Sequence, residues 1–412
     1  RSVNFAELEK QPGDEPRPLI SQLSVLDDHP EQVPCHVTHT NPTTHSIIEK
    51  NLKRSAMYSG NISGVGPRYC PSIEDKISRF SGKQSHQIFV EPEGLSTREL
   101  YPNGISTSLP FDVQVDFVRT IKGFERAEII RPGYAIEYDY FDPTGLYHSL
   151  ETKEVEGLFF AGQINGTTGY EEAAAQGLLA GANAALKVQS KSLWEPGREQ
   201  AYLGVMVDDL INLGTDEPYR MFTSRAEFRL RLREDNADQR LNQTGNELGL
   251  IGEARNRFYQ NKMKNIRALE EKLFSEKIKP GSGAEQKLGI TLEKEVDILS
   301  LLKRSDVTFE KLESLVDESE KLLLRQIETE HKYAGYIKRQ DVEIEKIRRH
   351  EAMKIPSNID FLKMESLSSE LREKLDFHKP ATLARAARIK GMTPAALSIL
   401  LVHSKKGGLG AE

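Results

Sequence analysis

The spacing of apolar residues divides the chain into two kinds of sequence, with the change near position 189. Before it, short apolar runs alternate with turn residues. After it, charged helix-favouring residues dominate to the end. In the first part, residues 33–37 and 87–91 read as strands, and residues 46–54 and 112–122 as short helices. Residues 133–138 alternate and are rich in aromatics, which predicts a further strand. Residues 157–162 form an apolar run that predicts a fully buried strand, followed by a glycine-rich turn and an alanine-rich helix over 170–187. Six prolines before position 60 make that opening stretch loop-rich. In the second part, residues 253–274 and 318–352 predict long amphipathic helices, the latter carrying i,i+4 pairs such as Glu345 and Arg349. Pro280-Gly281-Ser282-Gly283 is a flexible loop. Residues 383–390 predict a short helix stopped by Gly391, and Thr393 caps another with Pro394 at its first position. The order of elements predicts an α/β portion followed by an all-α C-terminal region.

The chain has 412 residues, enough for about two to four domains. Hydrophobic residues make up 38% and charged residues 29%, a balance of globular proteins with solvated helix faces. The net charge of −6 gives no bulk attraction to nucleic acid, so RNA contact would have to rest on local basic patches. Two cysteines, Cys35 and Cys70, argue against a secreted disulfide scaffold and for a reducing cytoplasm. No apolar run is long enough to cross a bilayer, and no signal-peptide pattern is seen.

Three segments carry chemistry. The first is the turn Gly162-Gln163-Ile164-Asn165-Gly166-Thr167-Thr168-Gly169, with Tyr170 opening the helix. Open α/β sheets bind nucleotides at such βα junctions. Glu171 and Glu172 already complement the helix dipole and would repel a phosphate, so an uncharged flavin ring or polyol fits the turn better. An ordinary βα turn fits equally. The helix carries Ala173, Gly177, Gly181 and Ala185 at i,i+4, a small-residue stripe suited to close packing on a sheet.

The second is Cys70. Ser72 and Asp75 resemble a capping box, so a helix should begin at about Ile73 with the thiol just before it, near Arg68 and Lys76. A thiolate stabilised by these cations and a small buried apolar residue are both open readings. The third is Arg225, Arg229, Arg231 and Arg233. As an extended segment it would place Arg229, Arg231 and Arg233 on one face, either for phosphate contact or as a solvated edge paired with Glu227, Glu234 and Asp235. Cys35, His36, His39 and His45 lack a second ligand pair with zinc spacing, and no metal site is expected. The fingerprint G-x-G-x-x-G, a Walker P-loop and a G-x-S-x-G elbow are all missing from the sequence.

Longer runs resemble a known family. They are residues 66–76, then Glu91-Pro92-Glu93-Gly94-Leu95, then residues 101–110, residues 131–139, residues 160–177, and Pro218-Tyr219-Arg220-Met221-Phe222-Thr223-Ser224-Arg225-Ala226-Glu227. Together they resemble the MnmG family, also called GidA, tRNA uridine 5-carboxymethylaminomethyl modification enzymes. The resemblance implies a partial Rossmann-type FAD/NAD-binding domain followed by an all-α region. It implies an NAD-binding insertion over residues 1–95, the later part of an FAD-binding domain over 96–188, and a helical tRNA- and partner-binding region over 189–412. It implies FAD at Gly162 to Tyr170, and a nicotinamide cofactor at Gly66-Pro67-Arg68-Tyr69-Cys70-Pro71-Ser72-Ile73-Glu74-Asp75-Lys76-Ile77-Ser78-Arg79-Phe80. Cys70 is implied as catalytic, NADH as reductant and a folate as one-carbon donor. The implied partners are the tRNA anticodon loop, the GTPase MnmE and a second copy of the chain. The family also begins with a glycine-fingerprint FAD segment and another functional cysteine, which this sequence does not contain. A non-catalytic RNA or protein docking fragment, or a related flavin- and folate-dependent tRNA methyltransferase, are the competing expectations.

Overall fold

A computed structural model describes the chain except for residues 1, 16, 19–20, 22, 24–29, 61–70, 136–138, 318–319, 352, 354, 357, 381, 388, 390 and 408–412. It divides into two compact units, Arg1–Tyr140 and Phe141–Glu412.

The first unit is built on a four-stranded antiparallel sheet in sequential order: β1 (Glu9–Gln11), β2 (Cys35–His39), β3 (Gln87–Pro92) and β4 (Leu100–Asn103). Ile88 and Val90 alternate inward along β3 and are fully buried. They pack with Ile48 of α1 (Pro42–Asn51), Ile73 and Ile77 of α2 (Ile73–Arg79) and Phe117 of α3 (Phe111–Val118). Burying each such side chain stabilises by about 1.5–3 kcal/mol relative to leaving it exposed. Asn41 starts α1 with a reciprocal capping box to Thr44, and Ser72 caps α2 by accepting from Asp75 N–H. The strand expected at residues 133–138 does not form at 133–135, which are irregular, and residues 136–138 lie outside the described residues. Gly133 is held instead by the buried Gln114 amide, which accepts from its N–H at 2.7 Å and donates to its carbonyl at 2.9 Å. Those side-chain bonds take the backbone groups a ladder would use.

The second unit opens with α4 (Tyr170–Val188) and α5 (Tyr202–Leu213), which pack together over Leu150, Leu179, Val207 and Ile211. Then come α6 (Ala237–Glu247), α7 (Glu253–Ser275), β5 (Lys277–Ile278), α8 (Gly283–Leu288), β6 (Val296–Asp297), α9 (Ile298–Leu301), α10 (Phe309–Leu312) and the 31-residue α11 (Lys321–Glu351). Leu269 and Leu273 of α7 meet Leu324 and Ile327 of α11 in one apolar core. A separate core gathers Leu375 of α12 (Ser369–His378), Leu383 of α13 (Leu383–Ala387) and Leu400 of α14 (Pro394–Gly407). Thr393 caps α14 as its sequence predicts, accepting from Ala396 N–H at 3.2 Å. The chain is thus mixed α/β in its first part and helical in its second, as the order of elements predicts.

The run over 157–162 is not a buried strand. Phe159 makes only an isolated bridge to Glu151, and Leu158 is 41% exposed. Among the described residues no second strand flanks it, so Leu158 is exposed and Phe159, Phe160 and Ala161 are half-buried rather than enclosed. The stripe Ala173, Gly177, Gly181, Ala185 does not face a sheet either, and among the described residues nothing lies within 4 Å of where a Cβ on Gly177 or Gly181 would stand. The buried face of α4 is the neighbouring one, Glu172, Gln176, Leu179, Asn183 and Leu186. These larger side chains gain apolar burial or hydrogen bonds there, whereas glycine and alanine gain little.

Candidate functional site

The glycine turn folds as a short 3-10 segment, Gly162–Asn165, ended by Gly166. Gly162 and Gly166 have φ of +83° and +79°, the left-handed region that glycine enters without a Cβ penalty. A Cβ on Gly166 would come 2.7 Å from Thr215 Oγ1. The turn rests on Gln176 of α4. The Gln176 carbonyl accepts from Gly162 N–H at 3.1 Å and from Asn165 Nδ2 at 2.7 Å, and its amide donates to Thr167 Oγ1 at 2.9 Å. Asn183 supports α4 further along, donating to the carbonyls of Ser149 and Trp194 and accepting from Trp194 N–H.

The segment after α5 closes against the turn. Tyr219 N–H donates to the Gly166 carbonyl at 2.8 Å, and Met221 N–H donates to Glu172 Oε1 at 2.9 Å. Tyr219 donates its hydroxyl to Asp209 at 2.9 Å, while Arg225 stacks 4.4 Å over the Tyr219 ring. Behind this sits Arg198, bonded to Asp208 (3.1 Å), Asp209 (2.6 Å) and, in bidentate fashion, Glu227 (2.8 Å to each oxygen). Burial works against the Arg198 charge, yet the hydrogen bonds and charges of Glu227 and Asp209 outweigh it and raise its pKa. Burial, then the Asp209 carboxylate, push the Tyr219 phenol well above its ordinary value.

Gln163 and Tyr170 are exposed, Tyr170 at 92%, and Ile164 and Thr168 are half-buried, while Asn165 and Thr167 point into the protein. No side chain from Gly162 to Tyr170 carries a charge, and the first that does are the helix-opening Glu171 and Glu172. Such a surface suits an uncharged planar ring or polyol better than a phosphate. A flavin therefore fits the residues present.

In the first unit, Gly66 to Cys70 lie outside the described residues, so Cys70 has no described surroundings. Of the rest of that segment, Ile73, Glu74 and Ile77 are buried in the core, Lys76 donates to the Gly104 carbonyl at 2.8 Å, and Ser78, Arg79 and Phe80 are exposed. Glu74 Oε1 accepts from Ser108 N–H at 2.8 Å and from the Ser55 and Ser108 hydroxyls. Ser72 and Asp75 reach an open cleft of about 560 Å³ with an apolar floor that includes Ile105 and Phe117, and Arg98 and Arg131 also line it. Asp75, Glu93, Glu99 and Glu128 line it beside the two arginines, so its apolar walls suit a flat ring, with Arg98 and Arg131 the groups able to meet a phosphate.

The arginine row expected over 225–233 does not exist as a row. Residues 223–225 form a 3-10 turn and residues 227–231 continue as turns. Arg225 bonds the Arg220 carbonyl, Arg231 pairs with Asp341, and Arg233 pairs with Asp235 and Glu330. The extended form loses because Phe228 and Leu232 are buried from a coiled backbone, with Arg233 donating back to the Leu230 carbonyl at 2.7 Å. Arg229 alone of the four is exposed without a partner among the described residues. Gln176, Tyr219, Asp209 and Arg198 were not singled out from the sequence. Gln176 had a signal, its place on one helix face four residues after Glu172 and seven before Asn183. The Arg198 cluster joins residues scattered along the chain and had none.

Fold and turn together define a glycine-turn α/β protein extended by a helical region. Three family models match it: "Glucose inhibited division protein A" over residues 1–192, "tRNA modifying enzyme MnmG/GidA C-terminal helical domain" over 253–341, and "tRNA modifying enzyme MnmG/GidA C-terminal helical bundle" over 343–410. Aquifex aeolicus GidA, in two crystal forms, is similar throughout: 43% and 44% identity, with a TM-score of 0.80 over 98% of this chain in each case. The chain spans 65% and 66% of the length of those structures. It belongs to the MnmG/GidA family of tRNA-modifying enzymes. No helix among the described residues is long and apolar enough to cross a membrane.

Proposed function

We propose that this chain is part of a cytoplasmic, FAD-dependent enzyme that adds a (carboxymethyl)aminomethyl group to C5 of the wobble uridine of tRNA, together with the GTPase MnmE. The observation that carries this reading is the uncharged turn at Gly162 to Tyr170, anchored on α4 in a member of this family. Gln163, Thr168 and Tyr170 with the turn backbone would hold the flavin. When bound, FAD supplies two-electron redox chemistry, with NADH as reductant and a folate as one-carbon donor. The cleft beside Ser72 and Asp75, with Arg98 and Arg131, would take the nicotinamide cofactor. The Cys70 thiolate would bond to C6 of the uridine, shifting the C5–C6 π pair to C5, which then attacks the folate-borne one-carbon unit; the bond from that carbon to the folate nitrogen breaks, and glycine or ammonium supplies the amine that takes its place. Loss of the C5 proton and departure of the thiolate restore the ring. The wobble base lies in a single-stranded loop, so reaching it costs little unstacking. Arg229 and the helical region would meet the RNA, and the enzyme would work as a homodimer.

The test is nucleoside analysis of tRNA from a deletion strain complemented with full-length protein. Wild type restores the modified uridine and Cys70→Ala does not. A purified full-length protein that is colourless, or whose colour NADH does not bleach, contradicts the flavin reading. Restoration by Cys70→Ala at the wild-type rate removes Cys70 from the chemistry.

A further inference from the structure

The polar contacts beneath the turn converge on one side chain to which the proposed function gives no role. Gln176 is completely buried in the second turn of α4. Its carbonyl oxygen accepts from Gly162 N–H and Asn165 Nδ2, and its amide donates to Thr167 Oγ1 and, at 3.2 Å, to the Glu172 carbonyl. All of its donors and acceptors are used. One amide thus ties the beginning, middle and end of the turn to the helix that follows. A buried amide is tolerated only when these bonds are made, so the turn and the amide fix each other. Asn165, also fully buried, spends its Nδ2 on Gln176 and the Phe160 carbonyl (3.1 Å), while its Oδ1 is buried with no partner among the described residues. Unsatisfied buried acceptors are rare in native proteins and call for an explanation such as a functional role.

Resting on the flavin reading above, we propose that Gln176 is a positioning residue for the flavin. It does not touch the cofactor. It ties down Gly162 together with Asn165 and Thr167, the residues on either side of Gly166, and so presents Gln163 and Thr168 in one fixed arrangement to the ring.

The test compares full-length holoenzyme with Gln176→Leu and Gln176→Glu, reading the flavin Kd, the visible absorption envelope and the Tm. Gln176→Leu strands the Gly162 and Asn165 donors, and the flavin Kd should rise on the order of tenfold or more with a changed spectrum. Gln176→Glu has nearly the same shape. Burial disfavours the charged carboxylate, so its pKa lies above the usual range. At pH 6 the neutral acid still accepts through one oxygen and donates through the other, losing only one of the amide's two donated bonds, and flavin binding should stay much closer to wild type than in Gln176→Leu. At pH 9 the ionised form lacks the donor and binding should fall, while the wild type stays flat. If Gln176→Leu does not fold, Gln176→Glu at the two pH values still decides. Wild-type Kd and spectrum in both variants at both pH values would overturn the proposal. So would an equal loss in both at every pH that merely follows the drop in Tm. A colourless wild type overturns the flavin reading as well, whereas a yellow wild type with flavin-tight variants overturns this inference alone.

Discussion

Replacing Arg198 with methionine keeps most of the side chain's length and removes its guanidinium. Arg198 is 15% exposed at its side chain, and Asp208 and Asp209 are 6% and 9% exposed. Removing one partner from a buried ion pair costs about 3–5 kcal/mol, because the remaining charge stays buried. Asp209 keeps the Tyr219 hydroxyl, and Asp208 keeps Asn212 Nδ2 at 2.9 Å. Glu227, 42% exposed, can hydrate. These residual contacts place the cost near the lower end, about 3 kcal/mol. For a unit of this size that corresponds to a Tm lowered by about 6–12 °C. Thermal and urea unfolding at pH 7 measure it. Adding Asp208→Asn and Asp209→Asn removes the stranded charges and should close most of the gap to wild type. A loss below about 1 kcal/mol, in the range of a surface pair, would show that Arg198 is not holding buried charges. So would a gap that the two aspartate substitutions leave unchanged.

Gly166→Ala should lower stability by about 1–2 kcal/mol from the left-handed backbone alone, more from the Thr215 contact, and weaken flavin binding, checked by urea unfolding and flavin titration. Tyr219 is neutral when folded, with a pKa raised above the ordinary 10.0. Its contribution is complete below pH 10 and is lost above it as the unfolded chain ionises, so Tyr219→Phe should give a shallower decline in Tm between pH 9.5 and 11. Arg229→Ala should weaken tRNA binding, lower the salt slope by about 1 and leave Tm unchanged, whereas Arg233→Ala should lower Tm through Asp235 and Glu330, read by filter binding and calorimetry.

The helices at 170, 253, 321 and 394 were legible because amphipathic spacing, capping residues and prolines act locally. The fold class followed from their order. The two strands misread, at 133 and 157, show where local pattern ends. A strand needs partners, and Gly133 finds a glutamine side chain while Phe159 finds only Glu151. The glycine turn was legible as a turn, since Gly162 and Gly166 occupy conformations other residues avoid. Its anchor was not, because Gln176 acts through bonds formed only when α4 packs under the turn. The arginines misled for the opposite reason. Alternation with Phe228, Leu230 and Leu232 suggested a strand face, but carboxylates distant in sequence, Asp341 and Glu330, take up two of them.

The seat of the flavin is best tested by a crystal structure of the full-length protein with FAD bound. The isoalloxazine should lie in contact, within about 4.5 Å, with Gln163 and the backbone between Gly162 and Gly169. A flavin ring bound with none of these residues in reach would contradict it.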